Sequence, residues 1–142
     1  MQKLPAEQQQ QIIEAIKNAE LATSGEIRVH IEGPCPNGDP VARAVAVFEH
    51  LGMHKTREQN GVLFYVALDD RKFAVIGDKG IDSRVPAGFW DGIKDMLRTH
   101  FALDQYADGL SNGIARAGEQ LQTYFPRLTD DTNELSDDIS YS

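Results

Sequence analysis

The chain predicts an α/β fold, an α/β/α sandwich whose small mixed β-sheet is flanked by helices on both faces. Three observations carry that prediction. Residues 62–68 (Val-Leu-Phe-Tyr-Val-Ala-Leu) form an unbroken apolar run of strand length, the pattern of a central strand covered on both faces. A short polar turn separates this run from a second apolar segment at 72–76, so the two should pair as an antiparallel hairpin. Apolar residues at helical spacing precede, separate and follow the strand segments.

The elements follow in order. Pro5 suits a first helical position and Glu7 complements the dipole of the first turn. Ile12, Ile13, Ile16 and Ala19 then recur at helical spacing to about Ala22, where Thr23-Ser24-Gly25 breaks the helix. From Glu26 to Ile31 the pattern alternates strictly, with Ile27, Val29 and Ile31 on one face, as in a half-buried strand. Residues 33–39 are rich in Gly, Pro and Asn and read as a loop. Asp39-Pro40 reads as an N-cap followed by proline at N1. Val41, Val45, Phe48 and Leu51 share one face of the next helix, and Gly52 stops it. After the hairpin, residues 77–85 read as a loop. A helix from about Pro86 carries Phe89, Ile93, Met96, Leu97 and Phe101. The final helix, about 106–125, carries Leu110, Ile114, Ala117 and Leu121, and Pro126 ends it. The order is α-β-α-β-β-α-α: a parallel β-α-β unit joined to an antiparallel hairpin.

One domain is expected over 1–127, followed by a disordered acidic tail over 128–142. The tail holds Asp130, Asp131, Glu134, Asp137 and Asp138 and no basic residue. The formal charge of −8 argues against a nucleic-acid partner, and without the five tail acids the body still carries about −3. No apolar run approaches the roughly 18 residues of a membrane span, and the first ten residues do not read as a secretory signal. The expected address is therefore cytoplasmic. Cys35 is the only cysteine, which excludes an internal disulfide and a multi-cysteine zinc site.

Several motif matches fail on context. Gly109-Leu110-Ser111-Asn112-Gly113 has the spacing of a nucleophile elbow but lies inside a helical pattern, with no strand before the serine. His50 and His54 have zincin spacing, but Leu51 stands where the catalytic glutamate belongs and Gly52 interrupts the helix. These histidines, with His30 and His100, read as surface or half-buried residues. Gly77 and Gly80 lack the Lys-Ser/Thr ending of a P-loop.

The predicted topology gathers carboxylates at one end of the sheet. The start of the first strand (Ser24, Gly25, Glu26), the start of the second (Asn60, Gly61) and the end of the third (Asp78, Lys79, Asp82) meet there, and the following helix brings Asp91. Glu26, Asn60, Asp78, Asp82 and Asp91 are thus the candidate ligands for a hard divalent cation, Ca²⁺ or Mg²⁺. The competing reading makes Asp78 and Asp82 helix or loop caps and gives Glu26 a basic partner. Asp69-Asp70 falls at the opposite end, as a hairpin turn. Trp90 reads as core, or as part of a ligand surface if it is exposed beside the acidic end.

Several stretches resemble the TPM domain family in order and spacing over about residues 7–126. They are Ala19-Glu20, residues 23–29, residues 60–63, residues 70–81, Phe89-Trp90-Asp91, residues 106–110 and Gly113-Ile114. The resemblance implies an α/β/α sandwich and an acidic pocket at one sheet edge that holds Ca²⁺ or Mg²⁺. It also implies an acid phosphatase activity in some members. On matching positions it points to Glu26 after Ser24-Gly25, Asn60 before Gly61, and Asp78 and Asp82 in the Gly-rich loop. Asp91 matches only loosely, and that loop departs from the commoner Gly-aromatic-Gly form. Many members also carry an export signal and a membrane anchor, and neither is read here. Two functions are open: a cation- or protein-binding module, with partners in assembly or repair of membrane complexes, or a metal-dependent hydrolase of phosphomonoesters. For the hydrolase, Arg28 and Lys79 are the candidate phosphate-binding cations.

Overall fold

The computed structural model describes residues 4–127 and 139–142. Helix α1 (Ala6–Ala22) leads into strand β1 (Glu26–Glu32), and α2 (Pro40–His50) into β2 (Gly61–Ala67) and β3 (Lys72–Gly77). A one-turn helix α3 (Lys79–Asp82), then α4 (Asp91–Ala102) and α5 (Tyr106–Gln122), precede a short strand β4 (Ser140–Tyr141). The sheet has the order β3-β2-β1-β4, with β1 parallel to β2 and β4 and with β3 antiparallel to β2. The α/β sandwich and the mixed sheet are as predicted.

Strand parity sorts the core into two layers. Ile27, Val29, Ile31, Val62, Phe64, Val66 and Val75 point to one face and pack under α1, α4 and α5. Leu63, Tyr65, Ala67 and Ala74 point to the other and meet Ala44, Val47 and Phe48 of α2 together with Met53. Every residue of β2 is buried, which is why its sequence is apolar without alternation. The helices on the first face approach closely through glycine. A Cβ on Gly118 of α5 would lie 2.9 Å from the Ala19 Cβ of α1.

Local chemistry sets the helix ends. The Asp39 side chain accepts from the Val41 and Ala42 N–H groups at 3.1 Å, and Pro40 occupies the first turn. Gly52 follows the end of α2 with φ of 72°, a left-handed conformation that glycine adopts without steric cost. Pro5 stands one position before α1 rather than inside it.

Three expectations need correction. Helix α4 starts at Asp91 rather than near Pro86, because residues 87–90 form turns around Gly88, whose φ is 80°. The expected loop 77–85 contains α3, capped by the Asp78 side chain through the Lys79 N–H at 2.7 Å. Residues 139–142 were expected within a disordered tail, yet Ser140–Tyr141 pairs with β1 and Ile139 is buried. Residues 128–138, the remainder of that expected tail, lie outside the described residues. Among the described residues no helix is long and apolar enough to cross a membrane.

Candidate functional site

The strand register fixes which residues meet at the acidic end of the sheet. Glu26 lies opposite Gly61, and the Asp78 N–H donates to the Gly61 carbonyl at 2.9 Å. Glu26, Gly61 and Asp78 therefore form one row across three strands, with glycine in the middle. The Glu26 N–H donates to the Asn60 carbonyl at 3.2 Å, which binds the row to the preceding loop. Glu26, Asn60 and Asp78 are all buried. As the topology predicted, the start of β1, the start of β2 and the end of β3 come together.

Asp78 is the unusual member. It is 8% exposed, and one carboxylate oxygen caps α3. Its Oδ2 is buried with no hydrogen-bond partner. A buried polar atom without a partner costs free energy of about 1–3 kcal/mol, more for a charge, so such an atom calls for an explanation. The Arg28 Nε, two residues along β1 from Glu26 and on the same face, is likewise buried without a partner.

Two further residues belong to this end: Ser24, which the topology already placed there without naming it a ligand, and Glu58, which the sequence reading did not include. The Ser24 hydroxyl donates to Glu58 Oε2 at 3.0 Å, and Asn60 Nδ2 lies 3.2 Å from the Ser24 carbonyl and 3.4 Å from Glu58 Oε2. Glu58 sits in an irregular loop with no periodicity to orient it. The only signal in the sequence was its position two residues before Asn60. Gly80 locks this loop onto α3: its N–H donates to the Gln59 carbonyl at 2.8 Å, and a Cβ there would lie 2.3 Å from the Glu58 carbonyl.

The remaining candidates spread outward. Asp78, Lys79 and Asp82 line one groove with Trp90, Phe48, Val45, Glu49 and His54, so Trp90 does border the acidic end. Asp91 lines a neighbouring cleft instead, which Asp82 also borders. Among the described residues, no three His, Cys, Asp or Glu side chains stand together as a ready-made metal cage. Ser111 lies within α5, so no nucleophile elbow is formed.

The opposite end of the sheet is built differently. Arg43 of α2 grips the Glu32 carboxylate with two hydrogen bonds, Nε to Oε2 at 2.8 Å and Nη2 to Oε1 at 3.0 Å, and the Tyr65 hydroxyl donates to Oε2. Burial opposes the charge on Glu32, but these donors outweigh it and hold its pKa below the ordinary value. Burial and the same hydrogen bond push the Tyr65 hydroxyl upward. His30, expected as a surface or half-buried residue, is buried: its Nδ1 meets the Ser140 hydroxyl at 2.8 Å and its Nε2 the Ser142 hydroxyl at 2.6 Å. The Ser140 hydroxyl also donates to the Val29 carbonyl, which assigns the ring proton to Nδ1. Burial lowers the His30 pKa to about 4, with Glu32 opposing and Arg43 and Arg28 assisting. Asp70 accepts the Cys35 N–H at 2.7 Å, confirming that the hairpin turn lies at this far end.

With this geometry established, comparison with known proteins gives a consistent result. The TPM domain profile matches residues 2–120. The NMR structure of the BA42 protein from the psychrophilic bacterium Bizionia argentinensis is similar at 44% identity and a TM-score of 0.90, covering 96% of this chain and 94% of that one. The solution structure of the N-terminal domain of a P. gingivalis protein shares the fold, with a TM-score of 0.67 at 21% identity, over 86% of this chain and 78% of that one. No curated protein matches. The chain belongs to the TPM domain family.

Proposed function

We propose that this TPM domain binds a divalent cation of the Ca²⁺ or Mg²⁺ class at the acidic end of the sheet, with Asp78 as its principal ligand. The observation that carries the reading is the buried, unpartnered Asp78 Oδ2. A hard cation would satisfy that oxygen and offset the cost of burying its charge. Asn60, Glu26 and the neighbouring Glu58 are oxygen donors from the same sheet end, and Asp82 and Asp91 stand further out. Mg²⁺ commonly takes only one or two carboxylates and keeps several waters, so a complete carboxylate cage is not required.

An amide-resolved NMR titration with Ca²⁺ and Mg²⁺ tests this. Shifts should concentrate at Ser24–Glu26, Glu58–Gly61 and Asp78–Asp82. Asp78→Asn should weaken binding by about tenfold or more, against little change for Asp69→Asn at the far end. Equal effects from the two substitutions would sink the reading.

A second reading, hydrolysis of phosphomonoesters, is favoured by the unpartnered Arg28 Nε and by Lys79 in the groove with Asp78 and Asp82. These two cations would hold the phosphate, and a bound divalent ion would supply charge neutralisation and polarise the phosphoryl oxygens. Turnover of a phosphomonoester that EDTA abolishes and Arg28→Gln reduces would support it. Ion binding without turnover would leave a binding module.

A further inference from the structure

We propose that the open edge of β3 is a docking groove for an extended peptide segment, apolar in its middle and carrying carboxylates at the end that meets Arg71, Lys72, Lys94 and Arg98. Among the described residues, β3 is the outermost strand on its side of the sheet, with β2 as its only strand neighbour. Because the Asp78 N–H donates to Gly61, residues 72, 74, 76 and 78 direct their backbone groups at β2. Parity then turns the N–H and C=O groups of Phe73, Val75 and Gly77 outward, a template on which a further strand can add.

Two clefts border this edge and meet at Val75. One, of about 630 Å³, runs along residues 75–79; the other, of about 430 Å³, runs along residues 71–75. Each is walled on one side by α2, through Val45 and Phe48 or through Pro40 and Val41. Each is walled on the other side by Trp90 or by Lys94 and Arg98 of α4. Both spaces therefore wrap around the strand edge rather than lying on one face. Val41 and Val45, one helical turn apart, are 56% and 44% exposed and stand over the two clefts, so an apolar segment would bury them.

Charge gives the groove a direction. Among the described residues, the cleft at residues 71–75 has four cations and no carboxylate in its wall, whereas the other carries Glu49, Asp78 and Asp82 against Lys79. The present partners of two of these cations are weak. Arg71–Asp104 at 3.0 Å and Arg98–Asp95 at 2.8 Å are exposed ion pairs, a kind worth little in water. The strand offers about 20 Å of edge at the usual rise per residue, enough for a segment of about six residues.

The probe is the peptide acetyl-Glu-Glu-Val-Thr-Val-Lys-amide, titrated into the whole protein and followed by amide-resolved NMR and hydrogen exchange. Binding should protect the Phe73, Val75 and Gly77 N–H groups and shift the only tryptophan, Trp90. The peptide with its charges exchanged end for end should bind about tenfold more weakly, and N-methylation of its two valines should abolish protection. Arg98→Glu and, independently, Val45→Arg should each weaken binding in protein that still melts cooperatively. Equal binding of the charge-exchanged or N-methylated peptide would overturn the proposal, as would the absence of shifts along β3 at millimolar peptide. So would edge protection that appears without peptide and disperses on dilution, since that identifies a second copy of the chain as the occupant. Cation binding at Asp78 is read from its own titration, so either result can stand without the other.

Discussion

The two ends of β1 present the same residue type in opposite circumstances. At Glu32 a buried carboxylate is matched donor for acceptor, by both arms of the Arg43 guanidinium and by the Tyr65 hydroxyl. At the Glu26 end, the neighbouring Asp78 keeps one oxygen buried and unmatched. Buried polar groups are ordinarily satisfied within the protein, so the first end reads as structure, and the unmatched oxygen at the second is what the proposed cation would satisfy. The location agrees with what each end is made of. The Glu32 end joins a helix to the sheet, whereas the Asp78 end joins loops through backbone contacts and the short polar links among Ser24, Glu58 and Asn60.

Four outcomes would break or sharpen this contrast. The largest effect is expected from Glu32→Leu, which strands a half-buried guanidinium and a buried hydroxyl together. Denaturant unfolding should show a loss of about 3–5 kcal/mol. Next comes Gly80→Ala, because the added Cβ meets the Glu58 and Gln59 backbone at 2.3 and 2.6 Å. It should cost about 2–3 kcal/mol and disturb the amide shifts of the acidic end while leaving those around Glu32 in place.

The third concerns pH. His30 holds a folded-state pKa of about 4 against an ordinary value of 6.5, so the unfolded chain takes up its proton first as pH falls. Stability should be level above about pH 6.5 and decline between there and pH 4, by on the order of 2 kcal/mol after allowing for solvent screening. His30→Gln should flatten that decline. The smallest effect is expected from Asp78→Asn. It keeps an oxygen to cap α3 and replaces an unmatched charged oxygen, so stability should change by less than about 1 kcal/mol. A large loss there would make Asp78 structural after all and remove the contrast.

How far the sequence reveals this molecule depends on whether the information is local. The buried run of β2, the tight hairpin, the Asp39 cap with Pro40 and the Gly52 stop are each written in a few consecutive residues, and each appears in the structure. Meeting of Glu26, Asn60 and Asp78 at one sheet end also follows from topology and parity alone. The Glu32–Arg43–Tyr65 cluster does not: it joins the end of a strand, a helix and the next strand, and no pattern along the chain marks that encounter. Placement of Glu58 depends on the path of an irregular loop. β4 is two residues long, and the buried Ile139 just before it closely follows a run of acids that dominates the composition. The start of α4 is hidden in the sequence because Phe89 fits the helical spacing while Gly88 adopts a left-handed backbone.

The pairing of β1 with β4 has a consequence for how the chain acquires its shape. His30 and Ser140 are neighbours across a sequence gap of 110 residues. During synthesis, residues 26–32 leave the ribosome long before residues 139–142 exist. The outer edge of β1 must therefore wait without that neighbour while the rest of the sheet and its helices assemble. Contacts between such distant positions bear the greatest loop-closure cost and form late. Through that interval the buried Glu20 carboxylate, which accepts the Ile27 N–H at 3.0 Å, is already available from the preceding helix to occupy the exposed edge. A side chain only seven residues away thus covers one donor of that edge and still does so in the finished fold, while the distant segment covers the part near His30 and Ile31.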